Sequence, residues 1–366
     1  MLAAFLLDDR FASREAAMLR RLFVGIADEG VRVLPFIAHG SRAEDLAEGL
    51  ADAIILPEAG FLGRETARLE TVLQRVADAT SKDDERRVVH AFGESMWRLA
   101  ADAAHRLGAL PVYEVWQRSS IARVARVALT QSSSPKPLLC LADPGFEPLI
   151  AEAGAAACAR TVPWGVHAPP EPPEILRPGL GPTLALFGTG TDAAALRDAL
   201  TGIAEVIRAT PDAMLFVDAE AARAAQLWRV AQRLDLADRL TLIPPVEVDR
   251  SLALLVDVLL LSEASGEAHS LILDALAGAR AVIAAHDPDL AIRSPAAGVR
   301  VLQDPNPESW RQALAETFAR PEETRALART GWEFIRQQRR ASAHVASLLD
   351  AYEWATSHDA LPFAKP

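Results

Sequence analysis

The sequence predicts an α/β fold made of two Rossmann-like, doubly wound halves. Three observations carry this. Short apolar runs alternate with longer stretches of helical period along most of the chain, the pattern of βαβ units and a parallel sheet. The alternation stops once, at residues 168–182, where six prolines and two glycines fall within fifteen residues, and then restarts. The length, 366 residues, also exceeds what one hydrophobic core ordinarily holds.

In the first half, strands are expected at 2–7, 31–37, 53–57, 87–91, 110–115, 138–142 and 159–163. Each is short and rich in Leu, Ile, Val or Phe, as a strand covered on both faces should be. Helices are expected near 13–29, 64–79, 94–107 and 144–154. Ser13, followed by Arg14, Glu15 and Ala16, reads as a helix start; Gly30 and Gly108 read as helix stops. The proline-rich stretch 168–182 can be neither helix nor central strand, so it reads as a linker between domains at 1–167 and 183–341. Beyond it the order is strand 183–187, helix 193–209, strand 214–218, helix 219–234, strand 240–243, helix 247–255 and strand 257–261. A helix at 267–277, strands at 280–285 and 299–302, and a helical tail from 307 onward complete the chain.

The net charge of −11 argues against a protein whose main partner is a nucleic-acid backbone. Two cysteines, Cys140 and Cys158, can form neither a disulfide framework nor a four-ligand zinc site, and read as buried thiols of a reducing compartment. No stretch reaches the roughly 18 consecutive apolar residues of a membrane span. The opening MLAAFLLDDRF meets Asp8 and Asp9 too soon for a signal peptide and reads as a first buried strand, so a cytoplasmic location is expected.

In doubly wound sheets, ligands sit off the carboxyl ends of the strands. Two segments of the second half lie there. Gly188, Thr189, Gly190 and Thr191 turn a strand into a helix, and their N–H groups suit a phosphate; a plain tight turn is the alternative. Gly266, Glu267, Ala268, His269, Ser270 and Leu271 also lead into a helix. Arg197 stands about one helical turn beyond the first segment. Arg118, Arg123 and Arg126, with Ile121 and Val124 between them, read either as a contact with an anionic membrane face or as a solvated helix face. No His, Cys and Asp cluster has metal-ligand spacing, so no metal is expected.

The order of several segments resembles the GT-B-fold glycosyltransferases of family 4. These are VPWGVH (162–167), the strand–GTGT–helix unit (184–200), RATPDAMLFVDAE (208–220), LDLADRLTLIPP (234–245) and VDVLLLSEASGEAHSLILDALAGARAVIAA (256–285). In the first half, IADEGVRVLPFI (26–37) and VVHAFGESMWRLAADAAHRLGALPVYEVWQ (88–117) agree more weakly. The resemblance implies two domains facing a cleft and a C-terminal helix, 342–366, packing back on the first domain. It implies an acceptor side in the first domain, a nucleotide-sugar side in the second, and no cofactor besides the nucleotide sugar as co-substrate.

The resemblance departs where such enzymes do their chemistry. Of the family's paired glutamates, Asp274 stands for the second and Gly266 for the first, with Glu263 and Glu267 beside it. Thr189 and Ala194 stand at the donor-phosphate Arg and Lys, and no lysine lies between Lys136 and Lys365. The glycine-rich turn after the first strand is replaced by DDRFASR (8–14). The resemblance implies His90 near the sugar, Arg293 near the donor and Asp274 at the second glutamate position as catalytic candidates, and leaves Arg293, Arg197 and His269 as the groups to meet the charge of a departing diphosphate. Two functions are open: a retaining glycosyltransferase acting on a glycan or lipid-linked acceptor, or a catalytically degenerate relative that serves a protein partner as a scaffold.

Overall fold

The computed structural model describes residues 1–40, 53–58, 64–80, 86–130, 136–243 and 255–358. The chain divides into two compact units, Met1–Trp164 with Ala341–Pro366, and Gly165–Arg340.

The first unit holds a seven-stranded parallel sheet in the order β3-β2-β1-β4-β5-β6-β7. Its strands are β1 Leu2–Leu7, β2 Arg32–Ile37, β3 Ile54–Ile55, β4 Arg87–Phe92, β5 Leu110–Val115, β6 Leu138–Leu141 and β7 Ala159–Thr161. Every side chain of β1 and β5 is buried, because helices cover both faces and leave no polar alternation to preserve. The helices are α1 Asp9–Arg14, α2 Ala16–Asp28, α3 Arg64–Ala79, α4 Trp97–Leu107, α5 Ile121–Thr130, α6 Glu147–Glu152 and α13 Ala341–His358. The first helix begins earlier than Ser13. Asp8 caps it by accepting from the Phe11 N–H at 2.7 Å, and Ser13 lies within it. The helix α13 packs on α2, β5 and β6. A Cβ on Gly25 of α2 would stand 2.6 Å from Val345 Cγ2, so only glycine allows this approach.

The second unit holds a six-stranded parallel sheet in the order β10-β9-β8-β11-β12-β13. Its strands are β8 Thr183–Phe187, β9 Met214–Asp218, β10 Leu240–Ile243, β11 Val258–Leu261, β12 Ala281–Ala285 and β13 Val299–Leu302. The helices are α7 Ala193–Ala209, α8 Ala219–Ala224, α9 Leu227–Arg233, α10 Ser270–Ala277, α11 Pro307–Ala319 and α12 Pro321–Gln338. The single helix expected at 219–234 breaks at Gln226, whose φ of 55° is left-handed. The helix expected at 267–277 starts three residues later, after His269. That expected at 247–255 lies, apart from Leu255, outside the described residues. β8 crosses over through α7 to β9 on one side, and β11 through α10 to β12 on the other. The adjacent pair β8/β11 is therefore a topological switch point, as β1/β4 is in the first unit.

The proline-rich segment 168–182 is packed rather than loose. Ile175 belongs to the core of the second unit. Arg325 donates to the carbonyls of Ile175 at 3.1 Å and Leu176 at 2.7 Å, and Trp332 Nε1 donates to that of Pro169 at 3.1 Å. The Asp257 carboxylate accepts from the Leu176 N–H and the Thr183 N–H, both at 2.9 Å, and from the Thr183 hydroxyl at 3.0 Å. A segment with six prolines, which lack N–H donors, is thus held largely by side chains of its neighbours. Asp257→Ala should leave two backbone donors unmet and lower the unfolding free energy by about 2 kcal/mol, read as a shifted urea midpoint. Thermolysin should then cut within 168–177 faster in the variant than in the wild type, where the segment should resist.

Candidate functional site

At the carboxyl end of β8 the chain turns through Gly188–Thr191 into α7. Gly190 has φ +80°, and a Cβ there would stand 3.0 Å from Ala224 Cβ, so any side chain at this position strains the turn before a ligand is considered. The N–H groups of the turn point where a phosphate would sit. They already bind side chains of this chain. Asp192 caps α7 by accepting from Ala194 N–H at 3.1 Å and Ala195 N–H at 3.0 Å. The Glu263 carboxylate takes two more: Oε2 accepts from the N–H of Thr189 and, at 2.9 Å, from its hydroxyl, while Oε1 accepts from the Asp192 N–H at 2.8 Å. The Thr189 and Thr191 hydroxyls lie 2.7 Å apart.

Glu263 follows β11, next to the other expected segment. Gly266 to Leu271 are all buried, and lead into α10 with His269 as its N-cap residue. The Gly266 N–H donates to Asp287 Oδ2 at 2.9 Å. His269 lies edge-on to Phe187 with ring centroids 5.4 Å apart, and its Nε2 is 3.6 Å from Glu267 Oε2. Arg293 reaches into the same web. Its Nη1 donates to the Glu263 carbonyl at 2.5 Å and lies 3.8 Å from Asp287 Oδ2. Burial pulls this guanidinium below its ordinary value, and Asp287 and Glu263 oppose that pull. Arg293 is therefore partnered by the protein itself and ties Asp287 to the β11 loop. Asp274 is buried within α10.

The remaining candidates lie elsewhere. Arg197, on α7, lines a groove of ≈ 510 Å³ with Gln226, Arg229, Val230, Gln232 and Arg233, and Nη1 approaches the Ala225 carbonyl at 3.5 Å. Arg118, Arg123 and Arg126 are exposed, but Ile121 and Val124 between them are core residues, which removes the apolar half of a membrane contact. Arg123 pairs with Glu94.

His90 belongs to the core of the first unit. It points from β4 to the face covered by α13. Its Nδ1 lies 2.8 Å from the Tyr352 hydroxyl and its Nε2 3.2 Å from Glu114 Oε2. Trp164 Nε1 donates to Glu114 Oε1 at 2.6 Å. Burial raises the Tyr352 phenol well above its ordinary value, so it keeps its proton, and the hydroxyl donates to Nδ1 in the tautomer that carries the imidazole proton on Nε2. Cys140, paired with Glu114 across β5 and β6, is likewise held as a thiol by burial. Among the described residues, His90, Glu114 and Cys140 are the one set of metal-type ligands that converges, with donor atoms within 4.8 Å of one another. The Glu114 carboxylate there accepts from Trp164 Nε1 and faces His90 Nε2.

No family model matches the sequence, and no curated protein matches it either. Solved structures do. Anabaena HepE in complex with UDP and glucose superposes with a TM-score of 0.72 at 13% identity, covering 97% of this chain and 100% of that one. A glycosyltransferase from Rickettsia africae gives 0.68 at 11%, covering 97% and 98%. The sucrose-phosphate synthase of Thermosynechococcus elongatus gives 0.67 at 13%, covering 98% and 100%. The chain has the GT-B glycosyltransferase fold.

Within this GT-B chain, sequence reading found the two turn–helix segments and missed what fills the first. Glu263 stood out only as a neighbour of a motif position, and Asp287 and Glu114 carried no signal, because their roles come from contacts 21 to 74 residues away in sequence. Arg293→Ala should act chiefly on folding: breaking the buried contact with Asp287 should lower stability by about 3 kcal/mol. An unchanged urea midpoint with lost turnover would instead assign the guanidinium to a substrate.

The pH dependence of stability tests the His90 network. Burial lowers the His90 value below its ordinary 6.5, with Glu114 opposing. The unfolded chain therefore binds the proton more readily, and stability falls as pH drops through the window below about 6.5. His90→Gln has no proton to gain, and its stability should fall less steeply over that window in urea titrations at successive pH values.

Proposed function

We propose that this protein binds a nucleoside-diphosphate sugar on its second unit and transfers the sugar to a hydroxyl acceptor. The observation that carries the reading is the β8/β11 switch point, where two strand-to-helix turns, Gly188–Thr191 and Gly266–Leu271, open side by side. Helix starts at such a point favour an anionic group. The fold likeness runs over nearly the whole chain, and structures of HepE carry UDP, UDP-glucose, or UDP with glucose. Transfer with retention, to a glycan or lipid-linked acceptor, is the finer part of the proposal and rests on the sequence resemblance.

A second reading is favoured by one specific observation. The Glu263 carboxylate occupies the turn, and Arg293 bonds to the Glu263 carbonyl and lies beside Asp287, where a transferase would aim its charges at the leaving diphosphate. On this reading the protein is a degenerate glycosyltransferase that acts through a protein partner. A thermal-shift panel of UDP, GDP and ADP with their sugars separates the two. One nucleotide series should stabilise the protein, by about 2.7 kcal/mol at 100 times its dissociation constant, and its sugar form should release nucleoside diphosphate. The anomer formed, read by NMR, checks retention. Binding without release favours the scaffold, and no shift at millimolar concentration removes the donor reading.

A further inference from the structure

Glu263 is an acidic side chain with 4% exposure, and its carboxylate sits on the Thr189–Asp192 turn that leads into a 17-residue helix, a place where a phosphate is commonly held. Its two oxygens divide the turn between them, one taking Thr189 and the other the Asp192 N–H. Two anionic oxygens accepting from backbone N–H groups at a helix start is the arrangement a phosphate makes. Gly188 leaves the room: a Cβ there would stand 3.1 Å from Glu263 Oε2 and 2.8 Å from Leu196 Cδ2. The backbone of Glu263 is fixed separately, by the bond from Arg293 to its carbonyl, so the side chain is aimed from an anchored position.

The geometry points to Glu263 as a specificity-determining residue, a built-in stand-in for phosphate that a nucleoside diphosphate must displace from the Thr189–Asp192 turn. The inference rests on the donor reading of the second unit and adds what that reading lacks, a reason for the turn to discriminate. A ligand with a phosphate aimed at this turn meets a like charge and finds the donors taken. A ligand held along Gly266–Leu271, or one without phosphate, does not compete with Glu263.

The test compares wild type with Glu263→Gln by titration calorimetry, using inorganic pyrophosphate, UDP and uridine. Glutamine has nearly the same shape but one acceptor oxygen and one donor nitrogen, so it cannot accept from Thr189 and Asp192 at once. Pyrophosphate and UDP should each bind about tenfold tighter or more to the variant, with uridine unchanged. Glu263→Asp, which draws the carboxylate back by one methylene, should shift both anions in the same direction and serves if the glutamine variant does not fold. Wild type binding UDP with no gain in either variant overturns the inference and leaves the donor reading standing. A gain for pyrophosphate with no UDP or uridine binding keeps Glu263 as the stand-in and removes the uridine-nucleotide donor. Weaker binding of both anions to the variants makes Glu263 a supporting ligand and overturns the inference.

Discussion

Backbone N–H groups at the carboxyl edge of a parallel sheet need acceptors, and this chain supplies them from its own acids. Every crossover from strand to helix leaves such donors unmet by the helix it begins. Asp8 meets them after β1, Asp143 after β6 and Asp218 after β9. After β8 they are met by Asp192 and Glu263, and after β11 by Asp287. Asp257 does the same for the proline-rich segment that precedes β8. The result is two sheets whose carboxyl edges are stitched internally by carboxylates.

That choice sets the electrostatics of both edges. A carboxylate and a phosphate compete for the same donors, so an edge stitched by acids is poised against anionic ligands unless cations offset it. Here the buried guanidinium nearest the β11 loop is already beside Asp287, and lysine is absent from the whole second unit. With no lysine in that unit to share an added anion's charge, the carboxylate of Glu263 keeps the Thr189 and Asp192 donors for the protein itself.

The sheets were legible because their signal is local. β1 and β11 are unbroken apolar runs, and helices between the strands carry a clear period, so the strands and the fold class follow from pattern. Helix starts were less so: Ser13 and Asp8 are both capping residue types, and in the structure the Asp8 carboxylate takes the Phe11 N–H, so the helix begins at Asp9. The candidate site was legible as a place and not as a set of contacts. GTGT reads as a phosphate turn from its glycines, but its occupant comes from Glu263, 74 residues on. His90 reads as a site residue from its motif, yet Glu114, Tyr352 and Trp164 close around it in the core. The proline-rich stretch reads as a linker from composition, since nothing local shows that Arg325 and Trp332 will grip its carbonyls.

The first unit is discontinuous in sequence, and α13 returns to it after a whole second unit has intervened. During synthesis the chain leaves the ribosome from its N-terminus, and contiguous domains fold as they emerge. The first sheet then waits with His90 and Glu114 lacking the cover of Tyr352 until residue 352 has been made, while residues 165–340 are complete and contiguous before that. The middle of this protein is thus the first part able to close, and its beginning is the last, so the order of translation and the order of folding run opposite ways.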